Sequence, residues 1–142
     1  MSAGQAPRTT PPRVLVVEDD GAIARVLRFS LAAAGLEATA VTTGADALRL
    51  LEQGFAEAVV LDLVLPDGLG GAVLEWLRRV APHGLPVWVV ISALDHREAT
   101  GRYGPLGTHF FGKPFDPWDL VRTLEELLRG KREQPVPDGE TP

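Results

Sequence analysis

The feature that most limits what this chain can fold into is a short apolar run that keeps returning. Val14-Leu15-Val16-Val17, Ala58-Val59-Val60-Leu61 and Val87-Trp88-Val89-Val90-Ile91 all lack the apolar-polar alternation of a strand with one wet face. Such runs suit strands covered on both faces, as in a parallel sheet sandwiched between helices. The segments between them carry helical spacing instead. Ile23, Val26, Leu27, Leu31 and Ala34 recur on one helical side and Gly35 stops them. Ala38–Val41 reads as a weak strand, Ala45–Gln53 as a helix ended by Gly54, and Ala58–Asp62 as the central strand. Then follow a helix over Gly71–Val80, a strand over Pro86–Ser92, a short helix over His96–Tyr103 and a short strand over His109–Gly112. A last helix is capped by Asp116, starts at Pro117 and carries Leu120, Val121, Leu124, Leu127 and Leu128, with Gly130 after it. The pattern is (βα)5. Right-handed crossovers make it a doubly wound α/β fold, with its ligand site beyond the carboxyl ends of the strands.

A length of 142 residues suits one domain with a real core. Residues 1–12 and 130–142 are small, polar and rich in Pro and Gly, so they are expected to be disordered tails around a folded unit of 13–129. The net charge of −5 argues against a nucleic-acid-binding surface and against a polybasic membrane patch. There is no cysteine, which excludes disulfides and thiolate chemistry. No apolar stretch reaches the roughly 18 residues a membrane helix needs. The N-terminus has no apolar signal segment. The expected setting is cytoplasmic.

The expected strand ends carry a coherent chemistry. Strand 1 ends in Glu18-Asp19, strand 3 in Asp62 and strand 4 in Ser92, and strand 5 runs into Lys113-Pro114. Clustered carboxylates repel one another and favour a hard divalent cation with oxygen ligands. A carboxylate can act as a nucleophile and form an aspartyl phosphate. A cation and a lysine would then neutralise the phosphoryl oxygens, and the Ser92 hydroxyl would hydrogen-bond one of them.

On the stretches "VLVVEDD" (14–20), "VVLDLVLPDGLGG" (59–71), "VVISA" (89–93) and "FFGKPF" (110–115), the chain resembles the receiver domain of two-component response regulators. The resemblance implies a flavodoxin-like sheet of order 2-1-3-4-5. It makes Asp62 the phosphoacceptor and Glu18 and Asp19 the acidic pair for Mg2+, with the backbone carbonyl of Val64 as a further ligand. It also makes Ser92 the switch hydroxyl, gives Lys113 to the phosphoryl group ahead of a cis Lys113–Pro114 bond, and puts Phe110 at the aromatic switch position. The partners it implies are a histidine kinase or phosphotransfer protein as donor, and a downstream protein target. The expected function is a stand-alone, non-enzymatic switch. A degenerate receiver that binds partners without phosphorylation is the alternative. An aspartyl-phosphate phosphatase is disfavoured because Val64, not an acid, stands two residues after Asp62.

Other residues have simpler readings. Asp20 reads as a helix cap, and Asp67 and Gly68 as turn residues. His83, His96 and His109 read as non-functional, Trp88 as core, and Trp76 as lying near the exposed side of its helix. The segment 93–115 departs from the family pattern, since Gly101, Gly104, Pro105 and Gly107 crowd it. The helix there is expected to be short and mobile. Thr108 and His109 also stand where the family commonly has acids before strand 5.

Overall fold

The computed structural model describes residues 10–80, 84–107 and 109–133. Five strands alternate with five helices: β1 Arg13–Val17, α1 Gly21–Ala33, β2 Glu37–Val41, α2 Gly44–Glu52, β3 Ala58–Asp62, α3 Gly70–Val80, β4 Val87–Ser92, α4 His96–Tyr103, β5 Phe110–Gly112 and α5 Pro117–Glu133. All pairings are parallel, in the order β2-β1-β3-β4-β5. This is the doubly wound sheet that the sequence pattern implies, in the flavodoxin-like order that the resemblance implies.

The continuous apolar runs conceal an alternation that only the folded sheet displays. Leu15, Val17, Val59, Leu61 and Val90 face one side, against Ala47 and Leu51 of α2, Val73, Leu74 and Leu77 of α3 and Ala99 of α4. Val14, Val16, Ala58, Val60, Val87, Val89 and Ile91 face the other, against Leu27 and Leu31 of α1 and Leu120, Val121, Leu124 and Leu128 of α5. Successive side chains point to opposite faces, so a strand buried on both must be apolar throughout. Burying each of the valine, leucine and isoleucine side chains contributes about 1.5–3 kcal/mol, which makes this sandwich the main source of stability. β2 and β5 lie at the sheet edges, which is why β2 alone among the first four strands reads weakly in the sequence.

Several features differ from the sequence reading. α5 does not stop at Arg129 but continues through Gly130 to Glu133. Gly130 is not among the glycines with positive φ, so it propagates the helix instead of terminating it. Its cost of about 1 kcal/mol is offset by the buried residues upstream. At the other boundary, the Pro12 carbonyl accepts the Glu37 N–H, extending the β1–β2 ladder before Arg13. Trp76, expected near the exposed side of its helix, is half-buried against the core. Trp88 is also half-buried there, with Gly107 closing over its ring. Most of both expected tails, His83 and Thr108 lie outside the described residues.

α4 is short, as its glycines and proline suggest. Asp95 caps its start by accepting the Glu98 N–H, and Gly104 ends it at φ +79°. Only Ala99 is buried. Arg78 of α3 holds its far end, donating from Nε to the Pro105 carbonyl at 2.9 Å and from Nη2 to the Tyr103 carbonyl at 2.5 Å.

Candidate functional site

The carboxyl ends of β1, β3 and β5 bring their polar residues together. Burial explains why the apolar run of β3 can end on Asp62. The residue is only 3% exposed, yet each of its oxygens has a partner. Oδ1 accepts the Val64 N–H at 3.1 Å, and Oδ2 lies 2.9 Å from Lys113 Nζ. A buried carboxylate is tolerated when it is paired and hydrogen-bonded in this way. The same ammonium lies 2.7 Å from Glu18 Oε1. Glu18 is 1% exposed, and its Oε2 accepts the Asp20 N–H at 3.1 Å.

Backbone bonds fix these segments to one another. Glu18 N–H donates to the Val41 carbonyl, tying the exit of β1 to the end of β2. Lys113 N–H donates to the Ser92 carbonyl at 2.8 Å, so the lysine leaves the sheet in register with β4. The Lys113–Pro114 bond is cis. Ser92 is fully buried, and its Oγ accepts the Leu94 N–H at 3.0 Å. Asp19 is exposed at the mouth of the site. Asp20 serves α1, accepting the Ala22 and Ile23 N–H groups as its cap. Phe110 is half-buried against the core and stands edge-on to His96, with ring centroids 5.1 Å apart.

The electrostatics favour a cation. Glu18, Asp19 and Asp62 each present an oxygen within 4.8 Å of the others. With all three carboxylates ionised, they exceed the single Lys113 ammonium by two negative charges, matched by one divalent ion. Hard oxygen donors this closely spaced suit Mg2+, with water completing its shell. Burial pushes the Glu18 carboxyl up to about 7 despite the lowering pull of Lys113 and the Asp20 N–H, and Asp62 adds to the rise. For Lys113, burial works against the charge, but the hydrogen bonds to Asp62 and Glu18 outweigh it and raise its pKa. The ammonium is therefore firmly protonated.

The sequence reading placed Asp67 in a turn and no more. Its carboxylate also reaches the first amides of α2, accepting from Gly44 N–H at 3.1 Å and Ala45 N–H at 3.0 Å. Local desolvation acts upward on this carboxyl, but the Ala45, Gly44 and Leu69 N–H groups bring it below the ordinary range. Pro66-Asp67-Gly68 explains itself as a turn, so the one signal of more was the glycine at Gly44, directly after a capping threonine. Arg78 was missed as well, because its partners are backbone carbonyls with no sequence signature.

Comparison with known proteins gives a consistent picture. Residues 14–125 match the family model described as the response regulator receiver domain. The chain is 34% identical over 134 residues to the transcriptional regulatory protein PrrA of Mycobacterium tuberculosis, covering 93% of this chain and 56% of that one. It is 30% identical over 119 residues to the transcriptional regulatory protein GltR of Pseudomonas aeruginosa, covering 82% and 48%. The chain thus spans about half the length of the curated relatives it matches. Among solved structures it superposes on the signal receiver domain of a LuxO repressor protein from Vibrio parahaemolyticus with a TM-score of 0.73 and 25% identity, covering 86% and 93%. Among the described residues, no helix is long and apolar enough to cross a membrane.

Proposed function

The chain belongs to the response regulator receiver domain family, and from that membership we propose that Asp62 accepts a phosphoryl group in a Mg2+-dependent reaction and that this switches the domain's protein contacts. The donor is a histidine kinase or a phosphotransfer protein, the partners that receiver domains use. The observation that carries the reading is the Lys113 ammonium lying between Asp62 Oδ2 and Glu18 Oε1, with Asp19 at the mouth.

The chemistry follows from these positions. An Asp62 oxygen attacks phosphorus. The new P–O bond forms as the P–N bond to the donor imidazole breaks, and the imidazole keeps the electron pair and takes up a proton. The Val64 N–H fixes one Asp62 oxygen, so the carboxylate meets the donor already oriented. Lys113 follows the negative charge from the carboxylate to the phosphoryl oxygens. When bound, Mg2+ supplies the remaining positive charge, held by Glu18, Asp19, Asp62 and the Val64 carbonyl. Ser92 exchanges its Leu94 N–H bond for one to a phosphoryl oxygen, and Phe110 repacks at the β5 edge. These two movements bias a two-state equilibrium of the β4–α4–β5 region.

The domain is read as a phosphoacceptor and not as an enzyme acting on small phosphoesters. Val64, a residue 51% exposed beside Asp62, supplies no acid to protonate a leaving group.

The test is intact mass after incubation with a small phosphodonor and Mg2+. One added phosphoryl group is expected in the native sequence, none after metal chelation and none in Asp62→Asn. Addition to folded Asp62→Asn, or none to the folded native sequence, refutes the reading.

A further inference from the structure

Asp67 sits at the exposed tip of the loop from Leu63 to Leu69, which carries Val64 past the phosphoacceptor. A residue that only shaped this turn would bond within it, as Asp67 Oδ1 does with Leu69 N–H at 3.2 Å. The same oxygen also takes the Gly44 N–H, and Oδ2 takes the Ala45 N–H. α2 has its own cap, since Thr43 Oγ1 accepts the Asp46 N–H. Asp67 therefore supplies a second, long-range cap to α2, from 23 residues away.

The backbones are in contact where this cap is made. A Cβ on Gly44 would stand 2.6 Å from Leu69 Cβ and 2.9 Å from its carbonyl carbon. At the base of the loop, a Cβ on Gly70 would stand 2.0 Å from the Leu63 carbonyl oxygen. The loop is thus closed at its base by Gly70 and pinned at its tip by Asp67, with Val64 between these two fixed points. The pin also reaches the other half of the site. Gly44 follows β2 after Thr42 and Thr43, and β2 ends on Val41, whose carbonyl accepts the Glu18 N–H. Hydrogen bonds and short lengths of chain thus link Glu18, Val41, Gly44, Asp67, Val64 and Asp62 in series. Lys113 closes this series into a ring by bridging Asp62 and Glu18.

We propose that Asp67 is a positioning residue for the cation site, setting the spacing of Asp62 and the Val64 carbonyl against Glu18 and Asp19 by pinning their loop to α2. The proposal rests on the phosphoacceptor reading above. Without the pin, the loop tip leaves α2 and the two halves of the site no longer share a fixed frame. The cation must then order the loop as it binds, and its affinity falls.

The experiment measures the Mg2+ dissociation constant of the full chain by titration calorimetry, at low salt and in about 0.5 M NaCl, where charges beyond a few ångströms are screened. Asp67→Ala is expected to weaken Mg2+ about tenfold, at the low end of what lost outer-shell partners cost, with most of the loss persisting in salt. Asp67→Asn keeps the shape and one acceptor oxygen. It is expected to weaken Mg2+ about threefold and serves as the measurement if the alanine variant does not fold. Thr43→Ala removes only the α2 cap of its own segment, so it should lower the melting temperature yet leave Mg2+ affinity unchanged. Three results overturn the proposal: unchanged affinity in the Asp67 variants, an equal loss in Thr43→Ala, or a loss that vanishes in high salt. If the native chain itself takes up neither Mg2+ nor a phosphoryl group, the phosphoacceptor reading fails and this proposal falls with it. Normal uptake by the native chain with unaltered variants removes the positioning role alone.

Discussion

Glu18→Gln is expected to stabilise the metal-free domain at neutral pH while weakening its hold on Mg2+. The argument starts from burial, since Glu18 has almost no exposure and its carboxyl is raised from 4.5 to about 7. Between those two values the folded state keeps a proton that the unfolded state has released. Stability therefore falls as pH rises through this window, and the loss is complete above the folded value. At 1.36 kcal/mol per pKa unit the fall amounts to roughly 3 kcal/mol by pH 8, and below pH 4.5 it is absent. Glutamine has the same shape, retains an acceptor for Lys113 and cannot ionise, so it escapes the penalty. The assay is urea denaturation of both proteins from pH 4.5 to 8 with Mg2+ chelated. The stability of the variant minus that of the native chain should climb by about 3 kcal/mol across the range, cancelling titrations that both share. Adding Mg2+ at pH 8 should stabilise the native chain more than the variant, reversing part of the difference. A difference that stays flat from pH 4.5 to 8 would show that Glu18 is not held protonated by burial and would refute the reasoning.

Further outcomes follow from other contacts. Lys113→Met leaves Glu18 and Asp62 facing each other without a counter-charge. It should destabilise the metal-free domain by about 3 kcal/mol at pH 8 and by clearly less at pH 5, as read by the same denaturation series. Arg78→Ala removes the donor to the Tyr103 and Pro105 carbonyls. Hydrogen exchange across α4 and residues 104–107 should accelerate, and global stability should fall by about 1–3 kcal/mol. In the native chain, α4 should already exchange faster than α5, since Ala99 is its only buried residue. Gly107→Ala places a methyl 2.6 Å from the Trp88 ring at a φ of +84°, so a loss of about 2 kcal/mol or more is expected in thermal unfolding.

Legibility in the sequence varied with how local the cause was. β1, β3 and β4 were readable because burial on both faces demands apolar residues throughout, and the site because Glu18, Asp62 and Lys113 stand at strand ends, where the topology must bring them together. What stayed hidden depends on partners distant in the chain. Asp67 looks like a turn residue because Pro66-Asp67-Gly68 is a sufficient turn, and the amides it caps at Gly44 and Ala45 carry no side-chain signature. Arg78 is similar, an ordinary helix-surface arginine until the carbonyls beyond α4 arrive beneath it. Gly130 misled in the opposite direction. Glycine after a periodic helix usually marks its end, but here the leucines already packed on the sheet carry the helix onward.

The central claim is that the phosphoryl group lands on Asp62, and one measurement addresses it directly. The protein is incubated with a small phosphodonor and Mg2+, then treated with borohydride, which reduces an aspartyl phosphate to homoserine, and is digested and mapped by mass spectrometry. The account predicts homoserine at position 62 alone, absent when the metal is chelated. Homoserine at another aspartate, or phosphate retained on a serine, threonine or histidine with Asp62 intact, would contradict it.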